Sequence, residues 1–268
     1  MLVFGGHARP QSIAVVEMDG AIGPRLKSTE YVKLFRSLQD NKNVRAVVLD
    51  VDSPGGSATG SNHLYLAVEA LARRKTVVAF IRGLGASGSY LFSCPAEKIV
   101  AIPSAIIGSI GVIAMRPLVY EAMEKIGVQM HTTKSDTLKD SGSMFRPPTP
   151  EEEKKEQELV DDLYQQFLEA VAEGRKMTMD QVKTLATGEV FTGRRARELG
   201  LIDETGDLER AIDIASELSG APRKPVWVHP KRGLRDVIQG MTGGGLAGEV
   251  AAQLDERLQP KYYFQHFS

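Results

Sequence analysis

The chain has 268 residues, 42% of them hydrophobic, with 33 basic and 34 acidic side chains and a formal net charge of −1. That length and apolar content suffice for one large core or a domain with a satellite, and the balanced charge gives no electrostatic footprint for nucleic acid. The single cysteine, Cys94, excludes an intrachain disulfide framework and a cysteine-rich metal site. No apolar run approaches the ~20 residues of a membrane span, and Met1–Phe4 is too short for the apolar region of a signal peptide. The chain as it stands reads as soluble.

Ser12–Met18 reads as a first strand, and Ser28 as the cap of a helix with Tyr31, Leu34, Phe35 and Leu38 on one face. Val44–Val51 is a second strand whose run Val47-Val48-Leu49 suits a sheet covered on both faces. It ends in the sharp turn Asp52-Ser-Pro-Gly-Gly56, followed by a helix from about Gly60 to Arg73. The apolar strand Thr76–Ile81 runs into Gly83-Leu-Gly-Ala-Ser-Gly-Ser-Tyr90, and a helix leaves from about Ser87. Lys98–Ile102 is another strand, Ser104–Met115 a glycine-rich apolar segment, Pro117–Ile126 a helix, and Val128–Thr132 is extended. This βα alternation predicts a parallel sheet with crossover helices.

Residues 133–148 form a polar loop, of the length that is functional or disordered in a compact domain. Thr149-Pro-Glu-Glu152 is a capping box that opens the longest helix, with an apolar stripe from Val160 to Val171. Met179–Thr184 is a short helix, Phe191–Gly193 a turn, Asp207–Leu218 a helix stopped at Gly220, and Val226–Val228 a final strand. After Lys231 come a glycine run and a helix around 248–258, a peripheral segment suited to subunit contacts.

A serine among small residues at a strand-to-helix turn is expected to be exposed, can sit on a strained backbone and has free helix amides beside it, which suits a nucleophile next to oxyanion donors. Ser87 fits that description, and it equally fits a helix cap. A nucleophilic hydroxyl needs a base. Of five histidines, His131, which ends an extended segment downstream of Ser87, is the one kept as a candidate; the other option is an uncharged lysine, and the 133–148 loop offers Lys134 and Lys139.

Four segments together resemble the signal peptide peptidase A family of serine proteases, on the ClpP/crotonase scaffold: Asp52-Ser-Pro-Gly-Gly56, Gly85-Ala-Ser-Gly-Ser-Tyr90, Gly108-Ser-Ile-Gly-Val112 and Lys134-Ser-Asp-Thr-Leu-Lys-Asp140. Glu189–Glu204 resembles the block that follows the family's long helix. The resemblance implies an α/β fold of repeated β-β-α and βα units with a parallel sheet, as a protease domain over residues 1–230, plus a helical C-terminal segment over 231–268. It also implies Ser87 as nucleophile, Lys139 as general base, Ser109 as the serine that orients the base, and the amides of Gly56 and Gly88 as oxyanion donors. It implies no cofactor and no metal. The implied substrates are signal-peptide remnants and other apolar peptides. The family works as a homo-oligomer, an octameric ring among the options, tethered at the extracytoplasmic face; this chain carries no such tether. Two positions depart from the family pattern. Ser89 stands where a second glycine is common and is expected to touch little; Asp136 stands where glycine is usual, and its charge would favour a protonated Lys139. The competing readings are a crotonase-type acyl-CoA enzyme and a non-catalytic peptide-binding scaffold.

Overall fold

A computed structural model describes residues 12–230 and the strand 261–265. Its elements begin with β1 (Ser12–Asp19), α1 (Ser28–Asp40), β2 (Val44–Ser53), β3 (Gly55–Ser57), α2 (Ala58–Ala72), β4 (Thr76–Ala86) and α3 (Gly88–Ser93). Then follow β5 (Lys98–Ala101), β6 (Ile106–Gly108), β7 (Ile113–Met115), α4 (Tyr120–Lys125), a 3-10 turn (Thr137–Asp140) and α5 (Pro150–Arg175). The last are α6 (Met179–Leu185), β8 (Val190–Thr192), α7 (Gly193–Glu198), β9 (Glu204–Thr205), α8 (Leu208–Ser219), β10 (Pro225–Trp227) and β11 (Lys261–Gln265). The described residues divide into two compact units: 12–111, 166–230 and 264–265 in the first, 112–165 and 261–263 in the second.

The first unit is built on an eight-stranded sheet, with β10-β1-β2-β4-β5-β9 in order and β6 and β8 off that path. Pairing is parallel from β10 across to β9, as the alternating pattern predicts. Side chains alternate across a strand, so the sheet presents two apolar faces. Ile13, Val15, Ala46, Val48, Val78, Phe80 and Val100 share one face and pack with Ala211, Ile212 and Ala215 of α8. Their strand neighbours Ala14, Val16, Val47, Leu49, Val77, Ala79 and Ile81 are equally buried, so no face is left wet. Each fully buried aliphatic side chain of this kind contributes about 1.5–3 kcal/mol.

Strand β4 is longer than its apolar run. Val78–Ile81 pairs with β5, and Leu84–Ala86 pairs with β6 instead. Against β2 the register jumps from Val51↔Ile81 to Ser53↔Gly85, so Arg82, Gly83 and Leu84 bulge. Such irregularities bend a strand and re-aim its end. Here the bend carries β4 from one neighbour to the next and delivers Ser87 past the sheet edge.

Several local expectations differ from the structure. Ser28 is the first helical residue of α1; Lys27 takes the cap position without a side-chain bond. Phe191, read as part of a turn, lies in β8 because β6 offers it an antiparallel partner, Ile107↔Phe191. Residues 128–132 have no regular structure. Pro225–Trp227 is not the final strand, since Lys261–Tyr263 of β11 pairs antiparallel with Met115, Ala114 and Ile113 of β7. The helix expected around 248–258 lies outside the described residues. The capping box does form: the Thr149 amide donates to Glu152 Oε2 at 2.8 Å and the Glu152 amide to Thr149 Oγ1 at 3.2 Å. Among the described residues, no helix is long and apolar enough to cross a membrane.

Candidate active site

Three strand ends converge in the first unit. The pairing Ser53↔Gly85 puts the Gly55-Gly56 turn beside the end of β4, and Ala86↔Gly108 puts Ser109 on its other side. Open parallel sheets bind ligands at the carboxyl ends of their strands. Ser87, Gly88, Gly56 and Ser109 are therefore brought to one edge by register alone.

Ser87 is the single residue between β4 and α3, with φ 57° and ψ −121°. A serine in that region is strained by roughly 1–3 kcal/mol, and such strain persists only where neighbours over-determine it. They do: the Ser87 amide donates to the Gly108 carbonyl at 2.7 Å, and its carbonyl accepts from the Leu91 amide at 3.0 Å. The residue is fully buried, and its hydroxyl has no hydrogen-bond partner among the described residues. Buried polar atoms are nearly always bonded, so an orphan hydroxyl on a strained turn makes Ser87 a candidate functional group. The cap reading fails, since Ser87 makes no side-chain cap bond.

Beside it, the Gly88 amide opens α3 and has no intrahelical acceptor. Gly56 has φ 150°, and a Cβ there would stand 2.3 Å from the Ile22 carbonyl oxygen, so only glycine fits. Asp52 ties the Gly55-Gly56 turn to β4 by accepting from the Leu84 amide at 2.9 Å. Ser89 makes a second tie. Its buried hydroxyl lies 2.6 Å from the Ser53 carbonyl oxygen and 2.8 Å from that of Ala86, so it joins the two turns. The expectation that Ser89 touches little is wrong, because the hydroxyl points inward between two strand ends. Ser109 is nearly buried, takes φ 50°, and donates its amide to the Glu189 carbonyl at 2.7 Å.

The second unit holds Lys139 on the 3-10 turn, with an exposed side chain. Asp136, the other departure, caps that turn: its Oδ1 accepts from the Thr137 amide at 2.6 Å. Asp140 accepts from Lys134 Nζ at 2.6 Å and from Arg146 Nη2 at 2.8 Å. Neither carboxylate pairs with Lys139. Hydrogen bonds from Arg146 and then from Lys134 hold Asp140 well below the ordinary carboxylate range. Lys134 is committed to Asp140 and to the Thr137 carbonyl, which removes it as a base. His131 and His63 are exposed, and His7 and His266 lie outside the described residues. Cys94 is buried, and burial pushes its thiol up to about 12, so it is no nucleophile. Arg146 and its partners left little trace in the sequence, where the polar loop showed only as a break in the rhythm. Among the described residues no cluster of metal-ligating side chains occurs.

Residues 69–221 match the profile of peptidase family S49. A candidate protease of Methanocaldococcus jannaschii is 38% identical over 202 residues, 75% of this chain and 65% of that one. A candidate protease of Synechocystis sp. is 34% identical over 234 residues, covering 87% and 84% of the two chains. The chloroplastic serine protease SPPA of Arabidopsis thaliana is 31% identical over 262 residues, 91% of this chain but 39% of its own length. The chain thus spans less than two thirds of the first and third of these relatives. The matched segment contains both Ser87 and Lys139, and with these relatives it shows that the chain belongs to peptidase family S49.

Proposed function

We propose that this chain is a serine endopeptidase working through a Ser87–Lys139 dyad. The observation that carries the reading is the orphan, buried Ser87 hydroxyl on a strained turn, with glycine amides beside it. In the proposed reaction the Lys139 amine takes the Ser87 proton as Oγ adds to the scissile carbonyl. The Gly56 and Gly88 amides stabilise the oxyanion, and Ser109 orients the amine. Collapse expels the leaving amine, which receives the proton from Lys139. Water then adds to the acyl-enzyme with the same amine as base, releasing the acid and restoring Ser87.

The substrates proposed are apolar peptide segments, remnants of signal peptides among them, handled at a membrane surface by a homo-oligomer. Leu118, Ile126, Val128 and Met130 of the second unit are large apolar side chains left exposed, and they support a subunit contact. Native mass spectrometry checks it: a monomer throughout the micromolar range removes the oligomer.

The deciding experiment compares hydrolysis of a fluorogenic apolar peptide by the parent, Ser87→Ala, Lys139→Ala and His131→Ala. The dyad predicts that the first two substitutions abolish turnover and the third leaves it. Full activity in Ser87→Ala rejects the nucleophile, and activity in Lys139→Ala with a dead His131→Ala moves the base to the histidine.

A further inference from the structure

The turn that carries Lys139 is held by one guanidinium. Arg146 donates Nε to Asp140 Oδ2 at 2.9 Å and Nη2 to Asp140 Oδ1 at 2.8 Å, a two-pronged grip on the residue that follows the lysine. Its remaining N–H groups go to the start of α5 and to the loop just before it. Nη1 reaches Glu152 Oε2 at 2.8 Å and the Pro147 carbonyl at 3.0 Å, and Nη2 also meets Glu152 Oε1. Every donor of the fork is used, in a plane that a lysine ammonium cannot reproduce. Glu152 is itself fixed, since it closes the capping box with Thr149. The 3-10 turn is thus clamped to the first turn of the longest helix.

The charges matter as much as the geometry. The charged groups tied to the lysine's turn are Lys134, Asp136 and Asp140 on the loop and Arg146 and Glu152 behind it, and Arg116, Lys155 and Glu156 line one cavity with Ser141 and Glu152. Asp136 is taken up by the Thr137 amide, and Asp140 and Glu152 are matched by Lys134 and Arg146. Without Arg146, Asp140 would keep Lys134 as its ion-pair partner and Glu152 would lose the guanidinium that matches it. An unmatched carboxylate within about 4–6 Å favours the protonated amine, which cannot act as a base.

We propose that Arg146 is a positioning residue for Lys139, anchoring the lysine's turn to α5 and neutralising the carboxylates beside it. This rests on Lys139 being the base, so Lys139→Ala is assayed alongside. The test is the pH dependence of kcat and kcat/KM on a fluorogenic apolar peptide for Arg146→Met, Arg146→Lys and the double variant Arg146→Met/Asp140→Asn, with melting curves at each pH. Arg146→Met is expected to lower kcat at least tenfold with KM changed less than threefold, and to move the acid limb of kcat/KM up by about one pH unit. Arg146→Lys restores charge without the fork, so its acid limb returns toward the parent's while kcat stays low. Adding Asp140→Asn to Arg146→Met also moves the acid limb back. A parent-like kcat and acid limb in Arg146→Met overturns the proposal. So does a loss of rate that follows the melting temperature with the acid limb unmoved, which is a structural role alone. If Lys139→Ala keeps its activity, the base assignment has failed; if it is inactive while the Arg146 variants behave as parent, only the Arg146 proposal has failed.

Discussion

The Ser87 amide donates to the Gly108 carbonyl at 2.7 Å, which fixes the serine's backbone while its buried hydroxyl has no hydrogen-bond partner among the described residues. A buried hydroxyl without a bond costs about 1–3 kcal/mol. Replacing Ser87 with alanine keeps the backbone strain and removes that cost. Ser87→Ala is therefore expected to melt a few degrees above the parent while losing turnover by at least about a thousandfold. Calorimetry checks it; a clear fall in melting temperature would show that the hydroxyl is bonded in solution.

Gly56→Ala tests the oxyanion turn. The added methyl would meet the Ile22 carbonyl oxygen at 2.3 Å, so the turn must shift. Loss of one oxyanion donor costs about 10²–10³ in kcat. The expected result is a fall of that size in kcat with KM changed much less. An unchanged kcat would remove Gly56 from the site.

Ser89→Ala cuts the tie between the two turns, leaving the Ser53 and Ala86 carbonyls without that donor. Urea unfolding is expected to show a loss of about 1–3 kcal/mol. The kcat should fall further than KM rises, because the hydroxyl touches neither substrate nor base. A variant as stable as the parent would mean that water replaces the hydroxyl.

The sheet was legible because its strands carry continuous or alternating apolar runs that a covered parallel sheet demands, as Val47-Val48-Leu49 shows. Ser87 was legible because small residues cluster where an apolar strand meets a helix. Ser89 was misjudged because sequence gives a residue's type and not the direction of its hydroxyl, which here meets the Ser53 and Ala86 carbonyls. Strand β8 was missed because Val190-Phe191-Thr192 is too short to declare itself; only its partner β6 makes it a strand. Arg146 was missed for a similar reason. Its partners Asp140 and Glu152 lie on either side of it in sequence, in a loop whose composition suggests no structure.

Arg175 and Asp203 give a pH-dependent stability. Arg175 Nη1 lies 2.9 Å from Asp203 Oδ2, and the arginine is 7% exposed. Burial alone would raise Asp203, but Arg175, the Ile99 amide and Lys98 outweigh it and hold the carboxyl below its usual range. A depressed folded-state value adds stability above the ordinary aspartate range, lost as pH falls through the folded value. Arg175→Met is expected to cost about 1–3 kcal/mol at neutral pH, as loss of a part-buried charge-assisted bond does when Lys98 and the Ile99 amide still hold the carboxylate. The deficit should shrink as pH drops below about 4. A deficit constant from pH 7 to pH 3 would show that packing, not charge, is what Arg175 supplies.

The antiparallel pairing of β6 with β8 has a consequence for the order of synthesis. Gly108 receives the Ser87 amide, and the same short strand leans on Val190 and Phe191, which are made roughly a hundred residues after the serine. At ribosomal speeds of about 5–20 residues per second, that is a delay of roughly 5–20 seconds. During it the serine exists but its turn has no braced neighbour. A nascent chain therefore cannot brace the Ser87 turn through β6 until β8 has been made, so the strained serine backbone is a late-forming feature of the fold.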